Sequence, residues 1–153
     1  MTEYELWKFL HVLSATAWVG AGIGFNVLQR RLRKAGDMQA LGAVGRQLEQ
    51  LGNVYFGPLT VATLVFGLLT VWRGDLSFTA LWIIIGYVGI VVTAIIGSVF
   101  IAGASKQLSE LATSGPPDPA LAAPLIDRIF MLTTIDLALL VVIVWAMVAK
   151  PTL

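Results

Sequence analysis

Four apolar stretches, residues 6–28, 56–72, 79–104 and 129–149, dominate the chain. A helix needs about 20 predominantly apolar residues to cross the hydrocarbon core of a bilayer, and each stretch is near or above that length. Backbone groups in lipid must be satisfied within the segment itself, so long unbroken apolar runs of this kind predict helices rather than strands. Pro58 falls in the first turn of the second stretch, where its missing N–H is harmless. The fourth stretch stops at Lys150-Pro151. The pattern predicts an all-α fold, a single integral membrane domain over residues 1–153 built as a four-helix transmembrane bundle.

The polar segments between the spans are unequal. Residues 29–53 hold Arg30, Arg31, Arg33, Lys34 and Arg46 against Asp37 and Glu49, whereas the turn WRGDLS carries one Arg and one Asp. The positive-inside rule makes the long basic loop cytoplasmic and puts both termini outside. Within that loop Leu41, Val44, Leu48 and Leu51 recur at spacings of three and four, which predicts a short amphipathic helix on the inner surface. The Arg cluster reads as a topology signal first and an anionic-lipid contact second. Residues 113–120, TSGPPDPA, predict a Pro-rich break between two short helical pieces. Leu6-Trp7 and Leu81-Trp82 each open a span, and Ala40-Leu41 recurs as Ala120-Leu121. These matches hint weakly at a two-helix repeat.

Composition agrees with this reading. The chain is 58% hydrophobic and 12% charged, against roughly 45–50% and 25% in soluble domains. With no cysteine, disulfides, thiolate metal sites and iron–sulfur clusters are excluded. The N-terminal MTEYELWKF lacks a basic leader, and the apolar run that follows is too long for a signal peptide, so it is expected to be a retained span. A net charge of +1 gives no ground for a nucleic-acid partner; the expected partner is the lipid bilayer.

Few residues in the spans can carry chemistry. Gly20 and Gly24 form a GxxxG beside Gly22, and Gly86, Gly89 and Gly97 crowd the third span. Such glycines let helices approach closely, here within the bundle in preference to a dimer seam. His11 is the only histidine and lies in the first span, about 9 Å outward of a midplane near Ala17. Thr70, Tyr87, Trp82 and Trp145 fall at a similar depth and predict one polar-aromatic cluster with it. An intramembrane imidazole is a functional candidate by default. Cofactor ligand and hydrogen-bonded structural residue are equally open readings of it. As a ligand it would use one nitrogen, while the other donated to a carbonyl or hydroxyl, with Tyr87 and Thr70 as candidates. Trp18 would wall such a pocket, and Lys8 would snorkel outward.

Asp136 is the other oddity. An ionised Asp near the membrane centre costs about 2.5–3.5 kcal/mol on insertion scales. It is expected to be protonated or bonded to Thr133, Thr63 or Thr93, as a structural residue rather than a proton relay. No P-loop, GxSxG or HExxH occurs, and Met38, Met131 and Met147 lack copper-binding spacing. No catalytic set is expected.

Tyr4, Trp7-Lys8, Leu10-His11, Trp18 and Gly20, then the Arg-rich loop, Pro58 with Gly67, and the terminal Met147-Val148-Ala149-Lys150-Pro151 resemble a family of small bacterial four-helix integral membrane proteins. That family looks related to the copper-resistance D membrane proteins and the HemJ-type protoporphyrinogen oxidases. The resemblance covers nearly the whole chain and implies a multi-pass protein of the bacterial inner membrane. By the HemJ likeness, His11 would be an axial ligand of haem b in an electron-transfer protein. The other axial position is left open among Met147, His11 of a second subunit and five-coordination, with Lys8 near a propionate. Those proteins carry a lysine early in the third helix. The matching stretch here, residues 82–86, has none, so oxidase activity is not carried over. Two other readings stand beside haem binding: an accessory subunit docked in a homodimer or larger membrane complex, and a small transporter or copper permease using Asp136.

Overall fold

Thr2 sets the start of the first helix. Its backbone N–H donates to Glu5 Oε2 (2.8 Å), and Glu5 N–H donates to Thr2 Oγ1 (3.3 Å). This reciprocal box satisfies two of the donors that a helix start leaves unpaired. The helix, α1, runs from Glu3 to Ala35 and ends where Gly36 turns left-handed (φ 69°). Asp37 then caps α2 (Met38–Leu51) by accepting from Ala40 N–H at 2.9 Å. The chain continues through a π-helical segment, Gly52–Phe56, into α3 (Gly57–Arg73). After a short turn, α4 (Leu81–Ile95) passes through a second π-helical segment, Ile96–Ile101, into α5 (Ala102–Leu111). Asp118 caps α6 (Pro119–Ala149), which ends at Lys150 in the left-handed region. The computed structural model describes residues 2–111 and 118–151, so most of the expected Pro-rich break lies outside the described residues.

Four continuous helical rods result: Glu3–Ala35, Met38–Arg73, Leu81–Leu111 and Pro119–Ala149, each long and apolar enough to cross a membrane. At about 1.5 Å per residue they are roughly 45–55 Å long, which exceeds a ~30 Å hydrocarbon core. The excess lies at the Arg-rich end. Between Lys8 and Arg30 on α1, and between Arg128 and Lys150 on α6, only Asp136 interrupts a charge-free interval. Each interval is about 33 Å long.

α1 packs most extensively on α3 and also meets α6; α4 meets α6 and, least closely, α3. Two cores follow. Toward the middle, Trp18, Ile90 and Leu140 are buried together, with Phe56, Leu59 and Ile143 against them. At the Arg-rich end, Leu41, Leu48, Ala104, Leu108, Ala122, Ile126 and Ile129 form a second cluster.

That second core changes one expectation. The amphipathic helix forms over the expected residues, but its apolar face is buried against α5 and α6 instead of lying on a membrane surface. Protein packing wins because the spans on either side extend beyond the hydrocarbon core and offer an apolar partner. Ser105, fully buried, ties the contact by donating to the Gly45 carbonyl and accepting from Glu49 N–H (3.1 Å).

The glycines divide. Gly86 and Gly89 lie directly under the side chains of Met147 and Ile143, so they permit the close approach of α4 to α6. Gly20 and Gly24 do not serve the bundle: a methyl group on either would meet no atom within 4 Å. The GxxxG of the first span therefore faces outward, correcting the expectation that it packs internally.

Candidate functional site: a polar cavity at the two π-helical segments

A cavity of about 460 Å³ opens at the centre of the bundle. Its walls come from all four rods, including Trp18 and Asn26 on α1, Asn53 and Phe56 on the first π-helical segment, Gly97 and Ser98 on the second, and Thr133 and Asp136 on α6. Both π-helical segments thus border the same space. Each carries a wide hydrogen bond accepted by a glycine, from Gly57 N–H to Gly52 O and from Ala102 N–H to Gly97 O. Single π turns inside α-helices are rare and concentrate at functional sites.

The polar groups around the cavity are largely self-contained. Asn26, only 4% exposed, donates to the carbonyls of Gly22 and Thr133 (both 3.2 Å) and accepts from Thr134 Oγ1 (2.9 Å). Thr133 Oγ1 donates to Gln29 Oε1 at 3.1 Å. Thr60, Thr93 and Ser98 return their hydroxyls to carbonyls of their own helices, at Phe56, Ile90 and Ala94. Asp136 differs: its Oδ1 is buried and has no hydrogen-bond partner among the described residues. None of the three threonines expected to bond it does so. Thr133 serves Gln29, Thr93 serves Ile90, and Thr63 donates to Ser14 Oγ (3.0 Å). A buried polar atom left without a partner costs on the order of 1–3 kcal/mol, more when charged, so Asp136 is held in the cavity wall at an energetic cost.

His11 lies outside this cavity, on the α1–α3 seam. Its Nδ1 is 2.8 Å from the Thr63 carbonyl. A carbonyl only accepts, so Nδ1 carries the proton, and Nε2 has no hydrogen bond among the described residues. The partner is a backbone group, not Tyr87 or Thr70 as expected. Thr70 Oγ1 instead donates to Phe66 O (2.7 Å), and Tyr87 OH is buried without a partner. Ser14 Oγ donates to the His11 carbonyl (3.0 Å), closing a local network with Thr63. The imidazole lies against Gly67, where a methyl group would sit 3.0 Å from both Nδ1 and Cε1.

The remaining members of the expected polar-aromatic cluster are spread over the bundle. Trp18 is in the central core, Met147 rests on Gly86, and Lys150 stacks over Trp82 at 5.4 Å. Trp145 is 59% exposed, and Lys8 lies over Tyr4 at 5.5 Å. The Asn26–Thr133–Thr134–Gln29 network was not anticipated. Its signal is present in the sequence, since Gly22, Asn26 and Gln29 share one helical face.

Four long apolar helices around a partly polar interior define a polytopic α-helical membrane protein. A family model covers residues 5–151, nearly the whole chain. The chain belongs to that family, described as predicted integral membrane protein (DUF2269). No curated protein and no solved structure matches it.

Proposed function

We propose that this membrane protein binds a small solute at the centre of its bundle, with the Asp136 carboxyl as the polar anchor. The observation that carries this reading is the unpartnered, buried Oδ1 of Asp136 on the wall of a ~460 Å³ cavity. That volume is within the ~300–1,000 Å³ range of small-molecule sites. Asn26 and the cavity hydroxyls are already bonded within the protein. Glu49 also lines the cavity, half-buried at its Arg-rich end. At the centre of the bundle recognition falls to Asp136, whose buried Oδ1 has no partner among the described residues, and a solute offering a hydrogen-bond donor or a positive charge relieves it. The test is a thermal-shift screen of the purified protein against sodium, potassium, guanidinium, methylammonium and decylammonium. At least one cation should raise Tm in the wild type and lose that effect in Asp136→Asn, because only folded protein binds it. No response from any cation would overturn the reading.

A second reading, haem b binding at His11, is favoured by one observation: Nδ1–H is fixed on the Thr63 carbonyl and Nε2 is left without a hydrogen bond. Metal-binding histidines are commonly oriented this way by the hydrogen bond on the other ring nitrogen. The fit is to one axial position, since Met147 packs against Gly86 on another seam. Bound haem would supply one-electron chemistry; His11 would hold it, and Thr63 would fix the imidazole. A Soret band that is lost in His11→Ala while helicity persists is the supporting outcome. Colourless protein that takes up no added hemin is the opposing one.

A further inference from the structure

The cavity is walled unevenly. On the α1 and α6 side its residues are buried or half-buried, with Trp18, Asn26 and Leu140 nearly inaccessible. On the α3 and α4 side, Asn53, Pro58, Val61 and Ser98 line it and are exposed, Val61 by 61%. Here α3 and α4 pack on each other far less extensively than α3 does on α1 or α4 on α6. The opening is therefore lateral.

Its depth fixes what it opens onto. Val61 lies twelve residues from Arg73 and from Glu49, and Ser98 eight residues from Lys106. These intervals are about 18 and 12 Å along the helices. Val61 and Ser98 thus lie inside a ~30 Å hydrocarbon core, while Glu49, which also lines the cavity, marks its end toward the Arg-rich loop. Below it, toward the Arg-rich end, α2 and α5 close the seam through Leu48, Leu108 and the Ser105 hydroxyl. A ligand entering between Val61 and Ser98 comes from lipid.

Resting on the cavity-binding reading above, we infer that the ligand is an amphiphilic amine taken laterally from the bilayer. Its ammonium meets Asp136, its proximal carbons lie against Trp18 and Phe56, and its tail leaves between Val61 and Ser98. An ammonium supplies both the donor and the charge that the carboxyl lacks. The aromatic walls favour a cation over an anion.

The test uses the full chain in lipid nanodiscs and measures saturable binding of radiolabelled decylamine and methylamine, with empty nanodiscs subtracted. Decylamine should bind, and Asp136→Asn should weaken it by about tenfold or more, the loss of one charged hydrogen bond. Val61→Trp and Ser98→Trp lie on the lipid-facing rim and leave the anchor untouched. Each should slow both association and release by about fivefold or more, the rim being the route of entry and exit. Circular dichroism and monodispersity check that each variant is folded. If methylamine binds as well as decylamine and the tryptophans change neither rate, entry is from water. The lateral inference then falls while Asp136-centred binding stands. If neither amine binds but another cation of the screen does, the lateral amphiphilic-amine inference falls while Asp136-centred binding stands. If no cation binds, both readings fall.

Discussion

Gly67→Ala perturbs the one contact that fixes His11. The new methyl group would stand 3.0 Å from imidazole Nδ1 and Cε1, several tenths of an ångström inside ordinary contact. The ring must retreat, and Nδ1 then leaves the 2.8 Å hydrogen bond to Thr63 O. Overpacking of this kind costs about 1–3 kcal/mol. A weakened hydrogen bond adds about 1 kcal/mol. Alanine returns up to about 1 kcal/mol of helix propensity over glycine. The net expectation is a loss of about 1–3 kcal/mol. Gly20→Ala, which meets nothing, should keep only the propensity term and be neutral or slightly stabilising. Removing the imidazole removes the conflict. In a His11→Ala background Gly67→Ala should therefore be neutral, giving a coupling energy of about 1–3 kcal/mol in a double-mutant cycle. Reversible unfolding in mixed detergent micelles, followed by circular dichroism, measures all four variants. A coupling below about 0.3 kcal/mol, within the scatter of independent sites, would refute the placement of His11 on Gly67.

Asn26→Leu removes the bridge from α1 to Thr133 and Thr134. Interhelical hydrogen bonds in membranes average about 0.6 kcal/mol and reach about 1.7, so a loss of about 1–2 kcal/mol is expected in the same unfolding assay. Orientation is checked with Thr2→Cys, which introduces the only cysteine of the chain. Labelling by an impermeant maleimide from outside the cell is expected, and labelling only after the inner face is exposed would reverse the assignment drawn from Arg30, Arg31, Arg33 and Lys34.

The four rods are legible in the sequence because apolar length alone decides them. Their joints are not. Residues 52–56 and 96–101 carry no Pro or turn pair that announces a π-helical segment. Nothing local reveals that α2 continues into α3, because the continuity depends on α5 and α6 accepting Leu41 and Leu48. The candidate site was half visible. Asp136 stands out as the only acid in the interior of the spans, but its cavity depends on which faces of four helices meet. Estimating depth placed His11 with Thr70, Tyr87, Trp82 and Trp145, yet depth says nothing about rotation around a helix axis. Rotation separates those residues and gives His11 the Thr63 carbonyl, a backbone group invisible to any reading of side chains.

The two π-helical segments also act as phase shifters. An α-helix advances about 100° per residue, so a stripe that faces the core at one end of a 36-residue rod drifts off the core at the other. One residue absorbed in a wide turn resets that phase. Leu41 and Leu48 can then face the cluster at the Arg-rich end while Thr63 and Val71 face the interior of the opposite half. Deleting a single residue from Gly52–Phe56 would restore regular helix and turn α2 by roughly 100° relative to α3. The two ends of the molecule, though one unbroken rod, are thus free to vary their packing stripes independently, with the adjustment confined to the rim of the cavity.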